Sequence, residues 1–441
     1  MEATQKSLYD SIILEANGQE RSVDLTLGAL QFRYYENIFS PFISAKLFVS
    51  TTGDAIEKDG VKQGIYNGLP LRGGERLAIK VSANTKSNIP LDFASKTEDY
   101  FYVTSISDVI IEEGKETFVL HLCAREAITN ETSRITGKYP TSLKINESVE
   151  KILKEKLQTN KIGTIDKTSN KYGFIGNMRK PFTTLLWLAS RGVPVESKEG
   201  TAGFLFYQTK DGFQFRSIDE LNKQKAKAIY TYTETNDSYT TDGKKINRDF
   251  TILKYHVERN TNLLEKLRLG AFATQRIFFN PIDFSFTSPE QGLFRSKDYI
   301  QKTENLGDRL KLPKISSEDE RTLGDIPSRM LTQVLDYGTI EKGVSTDSNS
   351  DPKQYQSQSL MRYSSLLTQQ LSMTVPLNSN LNAGDLIECN FPRVSNSNEP
   401  QYDQETSGLY MIKELCHYYD TTSSYTSLTL VRDSFGTKRK K

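Results

Sequence analysis

Apolar residues alternate with polar residues through most of the first 131 residues, as in VDLTLGALQF and FISAKLFVS. Side chains on a β-strand point alternately to two faces, so this period is typical of strands that bury one face. A strand further on sorts its residues in the same way, Phe118, Leu120 and Leu122 on one face and Val119, His121 and Cys123 on the other. We therefore predict a first β domain over residues 1–131.

The middle of the chain changes to a helical pattern. NESVEKILKEKLQTN repeats apolar residues at helical spacing behind an Asn or Ser cap, and PFTTLLWLASRG begins at Pro181 and ends at Gly192. FLFYQT and FQFRS then flank Lys210, Asp211 and Gly212, and Asp-Gly is a strong turn signal for a hairpin. These elements predict an α/β middle domain over residues 132–242.

A strand pattern returns after the middle domain, and a polar stretch interrupts it. DFTILKYHV and KLRLGAFATQRIFF restore the alternation, but SSEDER and STDSNSDP follow before it is complete. The interruption is too polar to form a core and too long for an ordinary connection. We predict a second β domain from residues 243–288 and 355–441, with a polar, partly irregular insertion at 289–354.

Two hairpin-like segments share one register across the chain. YVTSISDVIIEEGKETFVLHL and YMIKELCHYYDTTSSYTSLTL align without a gap at an offset of 410 − 102 = 308, and each follows a short strand that enters through Gly and an acidic residue, GGERLAIKV and AGDLIECNF. The identical positions are Tyr102 with Tyr410, Leu120 with Leu428, and Leu122 with Leu430. Any two antiparallel hairpins could share this much, so the pattern alone leaves both duplication and chance open.

Composition and charge narrow the classes of partner. The chain has 441 residues, with 57 Lys and Arg against 55 Asp and Glu, so no overall field draws it to nucleic acid or to an anionic membrane. The 22 Tyr and 22 Phe favour a strand-rich protein whose surfaces contact other proteins. No apolar run is long enough for a membrane span, and the N-terminus lacks the pattern of a secretory signal.

The residues that could carry chemistry form no known catalytic or metal-binding pattern. Cys123, Cys389 and Cys416 show no CxxC spacing, which favours a reducing cytoplasm over a disulfide framework. Zinc at His121 with Cys123, or at Cys416 with His417, lacks the usual ligand spacing, so ordinary strand residues are the favoured interpretation. We predict no catalytic residue, no metal and no cofactor.

Two charged features have a functional and a plain interpretation. Glu112 and Glu113 could form the acid and base of a glycosidase, but neighbouring residues in a hairpin turn are more simply explained as solvated charges. The C-terminal TKRKK could contact DNA or an acidic partner, although a short basic tail is usually solvated.

The order of these elements resembles the baseplate hub subunit of contractile-tailed, T-even-like bacteriophages. The resemblance lies in a strand-rich first domain, then PFTTLLWLASRG followed by GFLFYQTKDGFQFRSIDEL, then a split β domain that ends in GDLIECNF and GLYMIKELCHYYDTTSSYTSLTLVRDS. It implies an α+β, mainly β fold in which two tube-like antiparallel β-barrel or sandwich domains flank an α/β middle domain.

The same resemblance implies a function and a set of partners. In that family, three chains with two tube-like domains each make a homotrimer of six similar units. Such a ring joins the sixfold tail tube, or a tube-initiator protein, to the central spike, with baseplate wedge proteins as further possible partners. It implies a virion tail baseplate location after assembly in the host cytoplasm, and a lumen through which genomic DNA passes without specific binding. A hub of a related type VI or tailocin-like system, or a tail-associated wall hydrolase, is the alternative.

Overall fold

The protein is described by a computed structural model, which covers residues 3–17, 21–58, 60–195, 201–233, 247–258, 262–300, 305–307, 312–335, 355–393 and 402–436. The TKRKK tail and the STDSNSDP segment lie outside the described residues. Strands of the first part of the chain are β1 (Tyr9–Glu15), β2 (Ser22–Asp24), β3 (Ala29–Asn37), β4 (Ser44–Thr52), β5 (Ile56–Lys58), β6 (Val61–Gln63), β7 (Arg76–Val81), β8 (Leu91–Phe93), β9 (Phe101–Glu112) and β10 (Lys115–Ala124). Later strands are β11 (Lys138–Tyr139), β12 (Ile162–Ile165), β13 (Phe174–Ile175), β14 (Phe204–Thr209), β15 (Gly212–Ser217), β16 (Ile229–Thr231), β17 (Lys254–Glu258), β18 (Ala273–Phe279), β19 (Leu293–Arg295), β20 (Arg329–Val334), β21 (Gln369–Pro376), β22 (Leu386–Asn390), β23 (Gly408–Asp420) and β24 (Ser424–Arg432).

Helices are shorter and lie mainly between the strand-rich parts. They are α1 (Ile65–Gly68), α2 (Arg125–Thr132), α3 (Ile145–Glu155), α4 (Pro181–Ala189), α5 (Ile218–Asn222), α6 (Leu263–Leu269), α7 (Pro289–Gly292), α8 (Ser296–Ile300) and α9 (Gln356–Leu366), with 3₁₀ turns at Thr97–Asp99 and Arg248–Phe250. The expected α+β, mainly β fold is confirmed.

One large sheet joins the two predicted β domains. Its strands run in the order β17-β21-β24-β23-β3-β4-β10-β9-β7-β1-β2. Off this path, β8 pairs with β7, β22 pairs with β23, and β16 pairs with β22. The main hydrophobic core is continuous with this sheet and includes Phe32 and Leu120 from one domain with Leu371 and Leu430 from the other. The two predicted β domains therefore share one sheet and one core.

The residues of the predicted middle domain contribute a core of their own, and both predicted helices and the hairpin are present, although α3 begins after Lys144 rather than after the predicted Asn or Ser cap. Helix α4 begins at Pro181, whose fixed backbone suits the first turn, and α3 is stabilised at its start because Glu147 accepts a 2.9 Å bond from the Lys144 amide. Strands β14 and β15 form the expected hairpin, closed at Thr209 opposite Gly212. Both helices and this hairpin contribute to a separate cluster of buried side chains.

The predicted domain limits differ from the observed strand pairing at two places. Strand β18, expected in the second β domain, pairs instead with β19 and β20, which come from the predicted insertion. Of residues 243–288, β17 is the strand that joins the large sheet, whereas β16 enters it from the predicted middle domain. Apolar alternation predicts a strand but not its neighbour, because pairing depends on contacts far away in the chain.

Candidate assembly interface

The two halves of the large sheet have the same strand order. The first half runs β3-β4-β10-β9-β7, and the second half runs β17-β21-β24-β23-β22. Every neighbouring pair within each half is antiparallel. Five strands of one half thus have counterparts in the other, and we use the terms first half and second half in this sense.

Backbone hydrogen bonds match the two halves residue by residue where β7 and β22 begin. The Gly74 amide donates to the Val103 carbonyl at 2.8 Å, and the Gly384 amide donates to the Ile412 carbonyl at 2.8 Å. Both glycines have left-handed backbones, with φ of 89° and 88°, which a residue with a side chain adopts only with strain. Val103 and Ile412 are therefore structural counterparts.

This match corrects the ungapped register by one residue in the first strand of each hairpin. Leu122 pairs with Val103 and Leu430 pairs with Ile412, so Leu122 and Leu430 hold equivalent positions. Leu120 and Leu428 are equivalent by the same count. Tyr410, however, lies opposite Ile387 as Phe101 lies opposite Leu77. The counterpart of Tyr410 is thus Phe101, and Tyr102 corresponds to Met411.

A bulge in β9 explains this displacement. The pairing of β9 with β10 shifts between Thr117 and Val119, at Asp108, whose φ is 51°. The extra residue there restores the offset of 308, so Glu112 and Asp420 are again counterparts at the end of each strand. Duplication of the whole domains stays a prediction.

The halves meet where β23 pairs with β3, and we call this contact the junction. Its antiparallel register runs from Asp420 opposite Gln31 to Glu414 opposite Asn37. On the core side, Tyr419 stacks on Phe32 with ring centres 6.1 Å apart. On the opposite side, the Arg33 guanidinium lies 5.3 Å from the Tyr418 ring centre. The junction is therefore packed on both faces.

His417 is a fully buried member of the junction. Its ring is nearly parallel to that of Tyr34 at 6.0 Å, and its Nδ1 lies 3.0 Å from the Thr426 hydroxyl. Burial lowers the pKa of His417 to about 3, and the nearby positive charge of Lys210 acts in the same direction. The imidazole is neutral at physiological pH.

The stretch of β9 that corresponds to the junction strand is open on one side. Residues 104–112 pair with β10, and no other described strand lies along their second edge. Ile110 and Ile111 are 56% and 59% exposed. At the far end of the sheet, β17 has β21 as its one described strand neighbour, and its residues alternate between exposed and half-buried. Among the described residues, each half of the large sheet therefore has one strand with a single strand neighbour along this stretch, β9 in the first half and β17 in the second.

A buried polar network ties the middle domain to the junction. Glu36, at the end of β3, accepts hydrogen bonds from the Tyr34 hydroxyl, the Lys210 amide and the Ala383 amide at 2.7, 2.7 and 2.8 Å. Lys210 Nζ in turn donates to the Leu381 carbonyl at 2.9 Å. Burial raises the pKa of Glu36, while the charge of Lys210 opposes the rise. Burial also lowers the pKa of Lys210. The β14-β15 turn is thereby held against the sheet.

A second buried network centres on Arg362 of α9. Its guanidinium lies 2.8 Å from Asp219 of α5 and 3.4 Å from Asp433, just after β24. Asp433 also accepts bonds from Asn222 and from the Leu306 amide, each at 3.1 Å. Four separate chain segments are thus held by one cation and two carboxylates. Sequence patterns did not single out these residues, since charged residues in a polar stretch predict solvent exposure.

The residues considered above for zinc binding or glycoside hydrolysis have the contacts and burial of ordinary structural residues. His121 Nε2 lies 2.9 Å from the Ser107 hydroxyl. Burial raises the pKa of Cys123 to about 12 and that of Cys416 to about 11, which keeps both thiols protonated. Glu112 ends β9, and Glu113 lies in the exposed turn after it. Within the described ranges there is no group of three or more His, Cys, Asp or Glu placed to hold a metal ion.

An open groove of about 860 Å³ runs beside the junction on the side of α2. Its lining includes Tyr35 of β3, Lys46 of β4, His121 of β10 and Glu131 of α2. Thr104 and Ser105, from the open stretch of β9, also line it.

Among the described helices, none is long and apolar enough to cross a membrane.

Comparison with known proteins relates this arrangement to phage tails. No protein-family model matches the chain. A search of curated proteins finds the probable baseplate hub protein gp334 of Vibrio phage KVP40, which is 26% identical over 236 residues. That alignment spans 52% of this chain and 52% of the phage protein, about half of each. This chain is similar to phage baseplate hub proteins.

Solved structures agree with the same fold. The 43 kDa tail protein of prophage MuSo2 from Shewanella oneidensis has a TM-score of 0.50 and 11% identity, with 97% of this chain and 100% of that chain covered. A tail protein from Neisseria meningitidis MC58 has a TM-score of 0.51 and 10% identity, with 96% of each chain covered. The fold is that of phage tail proteins, and the predicted resemblance to baseplate hub proteins is confirmed.

Proposed function

We propose that this protein is a structural subunit of a phage-tail baseplate hub, a homotrimer with pseudo-sixfold symmetry that joins the tail tube to the central spike. The observation that carries the proposal is the repeated strand order of the first and second halves, which are joined edge to edge in one sheet. Two similar units per chain make six in a ring of three chains. Closed cyclic symmetry is the usual arrangement of homo-oligomers.

The proposed ring surrounds a passage for the phage genome. Each phosphate bound by Lys or Arg adds salt-dependent affinity, so rapid transit of DNA requires a lumen that binds it weakly. A near balance of 57 basic and 55 acidic residues is compatible with such a lumen. We expect polar or acidic side chains along the passage and no enzymatic step in the work of the protein. Its location is then the tail baseplate of the virion, after assembly in the host cytoplasm.

The oligomeric mass of the full chain, measured with the rotational symmetry seen by electron microscopy, tests the trimer. The expected result is the mass of three chains and a threefold ring with six similar lobes around an opening wide enough for duplex DNA. A dimer, a ring of six identical chains or a ring closed at its centre would contradict the proposal. Incubation of the purified ring with peptidoglycan, which we expect to remain intact, tests the wall-hydrolase alternative.

A further inference from the structure

The junction within one chain provides a template for a contact between two chains. It joins the β23 edge of the second half to the β3 edge of the first half. The counterpart of β23 in the first half is β9, and the counterpart of β3 in the second half is β17. These are the two strands of the halves that, among the described residues, have a strand neighbour on one edge in this stretch, β10 for β9 and β21 for β17. An equivalent contact would therefore join β9 of one chain to β17 of the next.

Strand registers define which residues would meet. Phe32 lies opposite Leu47, which lies opposite Leu120. Tyr255 lies opposite Met373, which lies opposite Leu428, the counterpart of Leu120. Phe32 and Tyr255 are thus counterparts, and one step earlier in each strand Gln31 corresponds to Lys254.

We propose that β9 of one copy pairs antiparallel with β17 of a second copy, with Glu112 opposite Lys254, Ile111 opposite Tyr255 and Ile110 opposite His256. This pairing rests on the proposed ring and supplies its contact between chains. It reproduces the observed junction pairs Asp420 with Gln31, Tyr419 with Phe32, and Tyr418 with Arg33.

The chemistry of the two edges fits this register. Glu112 and Lys254 carry opposite charges and are both exposed in the single chain, and directly opposed charges stabilise a strand pair. Ile111 would face Tyr255, whose ring packs against the main core, as Tyr419 faces Phe32 in the junction. The pairing would cover Ile110 and Ile111, and an exposed apolar strand edge is otherwise prone to aggregation.

Disulfide trapping in the full chain tests this register. Directly opposed residues have Cβ atoms close enough for a disulfide, so Glu112→Cys with Lys254→Cys should yield covalent assemblies of up to three chains under oxidation. Within one chain these positions are seven strand spacings apart along the sheet, about 34 Å at 4.8 Å each. All variants carry Cys416→Ser, because Cys416 is partly exposed and could form unwanted disulfides. Cys123 and Cys389 are buried and are left unchanged.

Two matched controls accompany this variant. Gln31→Cys with Asp420→Cys places the pair in the observed junction and should form a disulfide within one chain. Glu112→Cys with Glu258→Cys moves one partner four residues along β17, about 14 Å away, and should form no such product. If both controls form a disulfide, or if neither does, trapping does not distinguish one strand register from another, and the inference loses its support.

Charge reversal provides a second readout. Glu112→Lys alone or Lys254→Glu alone places like charges opposite each other at three sites in each ring, so the concentration for half-assembly should rise about tenfold or more. The variant that combines Glu112→Lys with Lys254→Glu again places opposite charges together and should restore assembly.

The outcomes separate this inference from the proposed function. A trimeric mass without the disulfide between positions 112 and 254 would overturn the pairing, assign β9 to another occupant such as a tail-tube strand, and leave the trimer intact. The disulfide in assemblies of another size would retain the pairing and overturn the trimer. If neither the disulfide nor a trimeric mass is found, both the pairing and the trimer are overturned.

Discussion

The end of β23 and the end of β9 occupy the same place in two similar halves, yet their surroundings are opposite. Tyr419 of β23 is buried against Phe32 of the neighbouring strand. Its counterpart Ile111 is 59% exposed, and although β10 pairs with it on one edge, no described strand lies along the other edge of β9 there. The difference lies in whether a partner strand is present rather than in the pattern of the strand itself.

This comparison teaches how one chain can contain both a finished and an unfinished copy of one contact. Polar groups of the backbone at an open strand edge bind water until another strand replaces it. In the junction that strand comes from the same chain, so the contact contributes to folding. At the edges of β9 and β17 the proposed strand comes from another copy, so the contact contributes to assembly. Substitutions at counterpart positions should therefore affect different equilibria.

The largest difference is expected at the counterpart pair Tyr419 and Ile111. Tyr419→Ala removes a buried ring from the junction and should lower the free energy of unfolding by about 3–5 kcal/mol. Ile111→Ala should change that of the isolated chain by no more than about 0.5 kcal/mol. Urea unfolding at a protein concentration too low for assembly measures both. Equal losses would show that the two strand ends have the same role in folding.

Glu36 of the junction should have the next largest effect. Glu36→Ala leaves the Tyr34 hydroxyl and the amides of Lys210 and Ala383 without their buried acceptor, for an expected loss of about 2–3 kcal/mol. Glu36→Gln keeps an acceptor oxygen and should lose less. The matched change at the open edge, Glu112→Ala, should have little effect on the isolated chain. Denaturation midpoints check all three, and an unchanged Glu36→Ala variant would refute the role of this network.

The amino-acid sequence predicted the elements of this fold better than their partners. The Asp-Gly hairpin, the helix that begins at Pro181 and the β period of the first domain all depend on short-range patterns. Pairing of β18 with β20, by contrast, brings together residues more than fifty positions apart, and the repeated alternation in ATQRIFF suits many neighbours. Local periodicity does not encode that choice.

The candidate interface was only partly visible in the sequence. The hairpin comparison located the counterpart strands, but without hydrogen bonds it could not place the bulge at Asp108 that displaces Tyr102 from Tyr410. The sequence holds one further signal: Val109, Ile110 and Ile111 are consecutive apolar residues where alternation predicts a polar one. Such a run in an edge strand indicates that both faces, or the edge, have a partner.

His417 should make the stability of the junction depend on pH. Its folded pKa of about 3 lies below the ordinary value of about 6.5, so the unfolded chain binds the extra proton first as pH falls. Stability from this residue is thus complete above about pH 6.5 and is lost as pH falls toward 3, by about 2 kcal/mol between pH 7 and pH 5. His417→Gln does not titrate. The unfolding free energy of the variant should approach that of the natural protein over this range, and a constant difference would contradict the assignment.

The smallest effect is expected on the outer face of the same two strands, at Tyr418 and its counterpart Ile110. Tyr418 stacks on Tyr425 with ring centres 4.2 Å apart and lies beside the Arg33 guanidinium. Tyr418→Thr should therefore lower the unfolding free energy by about 1 kcal/mol, the usual value of such ring and cation contacts. Ile110→Thr removes an exposed side chain, so the isolated chain should change by less than about 0.5 kcal/mol. When the concentration for half-assembly is measured instead, Ile110→Thr should have the larger effect of the two. Ile110 lies in the proposed contact between chains, whereas Tyr418 is already paired within its own chain. If Ile110→Thr leaves the concentration for half-assembly unchanged while Tyr418→Thr raises it, the division between a folding junction and an assembling edge does not hold.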